Sequence, residues 1–142
     1  MKTVILLSFI ITTAFFSSCK KASTETLDQV INPADTTATV ELGGTFMNGP
    51  SGKVSGQAKI YFKEGKYILA LENFSTSNGP DLKVYLSQEM FPATFIKLGD
   101  LQSTNGNQLY DVPGKPDFSL YKYALIHCEK YNHLYGYAEL SK

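Results

Sequence analysis

Residues 53–74 read KVSGQAKIYFKEGKYILALENF, and two alternating runs stand side by side in them. In the first, Val54, Ala58, Ile60 and Phe62 share one side of an extended chain. In the second, Tyr67, Leu69 and Leu71 alternate against Ile68 and Ala70. A period of two marks a strand, because successive side chains leave a pleated backbone on opposite faces. Between the runs, Lys63-Glu64-Gly65 is a natural hairpin turn, with glycine where the backbone needs a positive φ.

The same pattern continues downstream. Asn78-Gly79-Pro80-Asp81 is a second turn, and LKVYLS at 82–87 a further strand. Shorter runs follow at 95–98, 108–112, 120–128 and 135–140. Strands at roughly ten-residue spacing, rich in Tyr, Val, Ile and Phe, predict an antiparallel sandwich or barrel. No segment after Thr39 sustains a helical period, so the expected fold class is all-β, in one domain spanning 40–142. A small internal echo accompanies the turns. Asn48-Gly49-Pro50-Ser51-Gly52-Lys53-Val54 and Asn78-Gly79-Pro80-Asp81-Leu82-Lys83-Val84 agree at five of seven positions. The likeness stops there, which indicates two similar turns leading into strands and not a duplicated unit.

Upstream of the domain the chain changes character. Residues 1–18 combine a basic start with an apolar run over 4–16, too short for a hydrocarbon core that needs roughly 20 helical residues. This fits a secretory signal peptide. It ends in Phe16-Ser17-Ser18-Cys19, which resembles a bacterial lipobox, so Cys19 is expected to become a diacylated amino terminus. Two or more acyl chains make anchoring stable. Residues 19–39 are polar, rich in Thr and Ala and interrupted by Pro33, and read as a tether. Docking of 27–31 as an edge strand is the alternative. Lys20-Lys21 lacks the acidic run that resembles a surface-export signal in some bacteria, which favours the periplasmic face of the cell envelope.

Charge excludes one class of partner. The chain carries 13 Lys+Arg against 13 Asp+Glu, and every basic residue is lysine. Removing Lys2 with the signal leaves 12 against 13, a net charge near −1. There is no basic stripe and no arginine, so nucleic acid is not an expected partner.

Cysteine supplies the sharpest chemical clue. With Cys19 lipidated, Cys128 has no partner in the chain, which implies a free thiol, an intermolecular bridge or a ligand. In a strand over 120–128, Lys122, Ala124, Ile126 and Cys128 share one face, and Tyr121, Tyr123, Leu125 and His127 the other. Ala124 and Ile126 suggest that Cys128 points inward, where cysteine behaves as a small, quiet hydrophobe. A structural zinc site needs four ligands, and one Cys with two His does not supply them. A haem iron needs only one thiolate or imidazole, so Cys128, His127 and His133 are candidates for an axial ligand. Covalent haem attachment lacks its CxxCH. Five of the nine tyrosines fall in 121–142, where Tyr135 and its neighbours form either ordinary half-buried cross-strand pairs or an aromatic platform. Hydrolytic signatures such as GxSxG, HExxH and the P-loop are absent. Asp111 and Asp117 flank a Pro-Gly-Lys-Pro loop and read as solvated charges in preference to a cation site.

Several of these segments together carry a family resemblance. Gly44-Thr45-Phe46, Val54-Ser55-Gly56, Leu71-Glu72-Asn73-Phe74, Gly79-Pro80-Asp81-Leu82 and Val84-Tyr85-Leu86-Ser87 resemble the DM-thirteen domain. Leu98-Gly99, Gly106, Gln108, Tyr110, Val112-Pro113, Ile126, Cys128, Gly136, Ala138 and Leu140 continue the order. In animals this domain looks like a companion of haem-binding domains and membrane cytochromes. The resemblance implies a part in electron transfer, with Cys128 as thiol or cofactor ligand and an envelope redox protein as partner. His127 stands where the family commonly has an aromatic residue. Composition alone suggests instead a non-catalytic module that binds an envelope partner through loops and tyrosines.

Overall fold

A computed structural model describes residues 38–142. The signal segment, Cys19, nearly all of the tether and the alternative strand at 27–31 lie outside the described residues. Eight strands follow: β1 Thr39–Asn48, β2 Val54–Lys63, β3 Lys66–Thr76, β4 Leu82–Ser87, β5 Phe95–Asp100, β6 Gln108–Val112, β7 Tyr123–Cys128 and β8 His133–Glu139. They form one sheet in the order β5-β4-β7-β8-β1-β2-β3-β6, antiparallel at every pairing. The all-β expectation holds in its barrel-like form. At the β2–β3 hairpin, Lys63 pairs with Lys66, and both Glu64 and Gly65 turn at positive φ. That is the two-residue turn whose twist suits a hairpin.

The strand missing from the sequence reading is β1. Its inward residues are Leu42 and Phe46, whereas Val40 is exposed. Val40 pairs with Tyr61 but Leu42 with Ile60, so Glu41 is an extra residue that breaks the alternation. Such a bulge hides a strand from a period-of-two search. The first half of β1 pairs with β2 and its last three residues with β8, so one strand joins the two halves of the sheet. The run expected at 120–128 begins later, at Tyr123. Before it, the amides of Leu120 and Tyr121 both donate to the Asp117 carbonyl in a tight turn.

Alternation then builds the interior. Val54, Ala58, Ile60, Leu69, Leu71, Val84, Leu86, Tyr110, Val112, Ala124, Ile126 and Ala138 meet in one buried cluster, with Phe46 edge-on to Phe74 at 5.4 Å between centroids. A second bulge shapes β2 and β3. Gly56 sits at φ +106 opposite Asn73 at φ +48, and a Cβ on Gly56 would lie 2.7 Å from the carbonyl oxygens of Glu72 and Asn73.

The outermost strands, β5 and β6, are consecutive in sequence, and the connection between them spans one end of the gap in a nearly closed barrel. Gln108 Oε1 accepts the amides of Gln102 and Ser103 and the hydroxyl of Tyr110. Gln108 Nε2 donates back to the Ser103 carbonyl at 2.7 Å. The alternating directions give the barrel two distinct ends. One end, here called proximal, receives the chain at Ala38 and carries the β2–β3, β4–β5 and β6–β7 connections and the carboxyl terminus. The distal end carries the β1–β2, β3–β4, β5–β6 and β7–β8 connections.

Two substitutions test this construction. Gly56→Ala forces an unfavourable φ and a clash with backbone, and is expected to cost about 3 kcal/mol. For a domain this size, that is a drop in melting temperature on the order of 15 °C. Gln108→Leu strands the buried groups that Gln108 satisfies and is expected to cost about 2 kcal/mol. Denaturant midpoints check both.

Candidate functional site

Cys128 ends β7 at the distal end of the barrel. It is fully buried and free, and lies in the same interior cluster as Ala124 and Ile126. Leu82 pairs with it on one side and His133 on the other. The next residue, Glu129, donates its amide to the Asp81 carbonyl at 3.0 Å, which fastens the strand end. His133 is exposed despite its register with Cys128, and its ring lies 6.0 Å from that of Tyr131.

His127 points the other way, as alternation requires. It is 3% exposed on the outer face of β7, stacked on Tyr85 at 5.6 Å. Tyr85 in turn stacks on Phe95 at 4.4 Å, so three rings form a row across β7, β4 and β5. The Tyr85 hydroxyl donates to Glu129 Oε1 at 2.5 Å, and Lys97 also contacts that carboxylate. This hydrogen bond, followed by Lys97, holds the Glu129 carboxyl below its ordinary value. Burial first, and Glu129 second, push the Tyr85 phenol well up. Beside them Lys83 bridges Asp81 and Asp100 at 2.6 Å each, which keeps its ammonium charged far above the usual range.

Tyr135 is a packing residue, and it explains the internal echo. The amide of Gly49 donates to the Tyr135 carbonyl at 2.7 Å. Gly52 and Gly79 both lie against the ring so closely that a Cβ on either would collide with it. The two Asn-Gly-Pro turns thus flank one tyrosine, each supplying a glycine where the ring leaves no room.

The four candidates of the sequence reading therefore do not converge. Cys128 faces the interior, His127 the outer wall, His133 solvent, and Tyr135 the clasp of two turns. No group of three or more His, Cys, Asp or Glu among the described residues is placed to hold a metal. A haem would need an axial ligand open to its face, and Cys128 has no exposed surface. Clefts of about 340, 390 and 430 Å³ lie elsewhere and none is lined by Cys128, His127 or His133. Cys128 therefore does not fit as a haem ligand in this conformation. Asp117 accepts from the Ser119 amide and hydroxyl and so serves as a turn cap. What the sequence reading missed is the row of rings with Glu129 and Lys97. Its trace was the outward set Lys83, Tyr85 and Ser87 of LKVYLS, where a tyrosine stands among polar residues.

His127 makes acidity a test of this wall. Its Nε2 lies 3.1 Å from Asn132 Oδ1, so the proton sits on Nε2, and Nδ1 is buried with no partner. Burial lowers its pKa, against smaller opposite pulls from Asn132 and Glu129. The unfolded chain therefore takes up a proton first as pH falls, and stability present above roughly pH 6.5 is lost below it. Glu129 and Asp100, held low, act in the same direction but only in the carboxylate range. Thermal melts should fall between pH 7.5 and 5.5, and His127→Phe, which keeps a ring on Tyr85, should flatten that slope. An unchanged slope would assign it to another group.

No curated protein and no solved structure matches this chain. A family model described as Electron transfer DM13 matches residues 45–140, from the bridging half of β1 to the residue after β8. That span contains the barrel interior, both bulge residues Gly56 and Asn73, the closing Gln108 and the buried Cys128, and the chain belongs to the electron transfer DM13 family.

Proposed function

We propose that this chain is a lipid-anchored docking domain of an electron-transfer assembly in the bacterial envelope, on the periplasmic side. Family membership supports the electron-transfer setting. The lipobox-like Phe16-Ser17-Ser18-Cys19 supports the anchor. The observation that carries the docking role is the burial of Cys128. The one free thiol among the described residues is sealed in the core, and a sealed thiol is chemically quiet. What the distal end offers to a partner is polar and aromatic surface: Tyr131, His133 and the half-buried Tyr135.

A second reading makes Cys128 itself the redox group. It is favoured by position, since Cys128 is the last residue of β7 and its register partner His133 is already exposed. Local opening of strand ends costs less than global unfolding, so a few residues of fraying would bring the thiol to solvent.

One experiment separates them. The chain with Cys19→Ser, which leaves Cys128 as its single thiol, is purified without reductant from cells supplied with haem. Its visible spectrum is recorded, and the thiol is titrated folded and then unfolded. The docking role expects no Soret band, and modification on the order of a thousandfold slower in the folded chain, because opening a core costs several kcal/mol. Rapid modification of the folded chain, or a Soret band lost in Cys128→Ala, would transfer the role to Cys128.

A further inference from the structure

The two barrel ends differ in their exposed apolar side chains. Among the described residues seven large apolar side chains are exposed, and five of them belong to the proximal end: Val40, Met90, Phe91, Phe95 and Leu120. Phe91 at 59% and Met90 at 43% lie in the β4–β5 connection, and Leu120 at 53% in the β6–β7 connection. These two connections are neighbours, because β4 and β7 pair through Ser87 and Tyr123 just inside them. Single exposed apolar residues are ordinary on a protein surface, but several gathered at one end call for a partner.

The same end receives the chain. Ala38 is the first described residue and Thr39 the first of β1, so whatever precedes the domain approaches it here. Eighteen residues separate Cys19 from Ala38, and the tether read from their composition would span roughly 25 Å. Charge at this end is mixed. Lys66, Lys115 and Lys142 are exposed, as are Glu64, Glu89, Asp111 and Asp117, and Lys122 pairs with Glu139 at 3.4 Å. A balanced rim neither repels an anionic surface nor supplies the polybasic patch that electrostatic binding needs. Apolar burial would have to supply the attraction.

We infer that the proximal end is a lipid-facing surface, with Met90, Phe91 and Leu120 entering the interface of the membrane that holds Cys19. This rests on the anchored reading above and adds an orientation to it. The tether brings the domain to the bilayer, and the three side chains then set which end faces the lipid. Cys128, His133 and Tyr131 would point away from the membrane, toward a partner.

The absence of tryptophan from the chain gives a direct measurement. Phe91→Trp introduces a single reporter at the proximal end, and Tyr131→Trp a single reporter at the distal end. Each lipidated full chain is reconstituted into phosphatidylcholine–phosphatidylglycerol vesicles with and without brominated acyl chains. Flotation is measured beside fluorescence. The expected result is co-flotation of both, with the Phe91→Trp emission shifted to the blue and at least halved by bromine, and the Tyr131→Trp emission unmoved. Adding Met90→Ser and Leu120→Ser to the Phe91→Trp chain should relieve the quenching without loss of flotation. Co-flotation with no quenching at Phe91→Trp would overturn the lipid-facing surface and leave the anchor standing. Failure to float would overturn the anchor and this inference with it. Equal quenching of both reporters would mean that the domain has no preferred orientation, and would overturn the inference too. A concentration-dependent dimer that shields Phe91→Trp from bromine would assign the patch to a second copy.

Discussion

An eight-stranded sheet has two edges, and everything else in this structure depends on how they are disposed of. An open edge presents unpaired amides and carbonyls to any passing strand. Here the edge strands are β5 and β6, which no backbone ladder joins, and the connection between them is fixed to β6 by the side chains of Gln108 and Tyr110. The amides of Gln102 and Ser103 find their acceptors on those two side chains. Burial pushes the Tyr110 phenol up to about 12, so it remains a hydroxyl that can both donate and accept. The connection is also held from the far side, where Thr76 donates to the Thr104 carbonyl and Gly106 to that of Phe74.

Closure also explains why the outer wall carries buried groups of its own. A narrow barrel bends its strands, and side chains on the convex side would splay apart unless long ones lie along the wall and cover it. Two such patches exist. Tyr61 donates to Glu72 at 2.7 Å beside Ile68 and Ala70, and Lys59 meets the same carboxylate at 2.6 Å. Tyr85, Leu125 and Leu134 form the other, with His127 and Glu129 at its margin. In both, a buried tyrosine donates its phenol to a carboxylate that a lysine also holds. The pattern satisfies each polar atom where it is desolvated, which a partly buried network requires if it is not to destabilise the fold. Among the described residues Nδ1 of His127 is the one exception, and burial of the imidazole that carries it lowers its basicity.

How much of this was legible follows from where alternation survives. The β2–β3 hairpin, β4 and β6 were readable because each keeps a period of two over most of its length, the hairpin up to its bulge at Gly56 and Asn73, and ends at a turn with glycine or proline. The first strand was not, because the extra residue Glu41 turns Val40 outward while Leu42 and Phe46 face in. The lead-in to β7 misled for the opposite reason. Leu120, Tyr121 and Lys122 continue an alternating pattern that the Asp117 turn interrupts. Site residues divide in the same way. Opposite directions for His127 and Cys128 follow from pleating alone. The stacking of Phe95, Tyr85 and His127 joins three strands whose neighbourhood depends on β4 pairing with β7, and no local pattern encodes that pairing. The twin Asn-Gly-Pro turns were visible as an echo, but their shared reason, the ring of Tyr135, appears only once β8 lies beside both.

The order of strands has a further consequence for any role the chain plays. With every neighbour antiparallel, odd-to-even connections must all fall at one end and even-to-odd connections at the other. The candidate site residues and the exposed apolar residues then separate by strand parity. Cys128, His133, Tyr135 and both Asn-Gly-Pro turns sit where odd strands finish, and Met90, Phe91 and Leu120 where even strands finish. Because β1 rises from Ala38, the point at which the polypeptide reaches the domain is bound to the second group. A change that moved Cys128 to the other end would have to reverse β7, and with it the pairing of Cys128 with Leu82 and of Tyr123 with Ser87. The distance between the sealed thiol and the incoming chain is thus a property of the topology, held by ladders on both sides of β7, and not of any one contact.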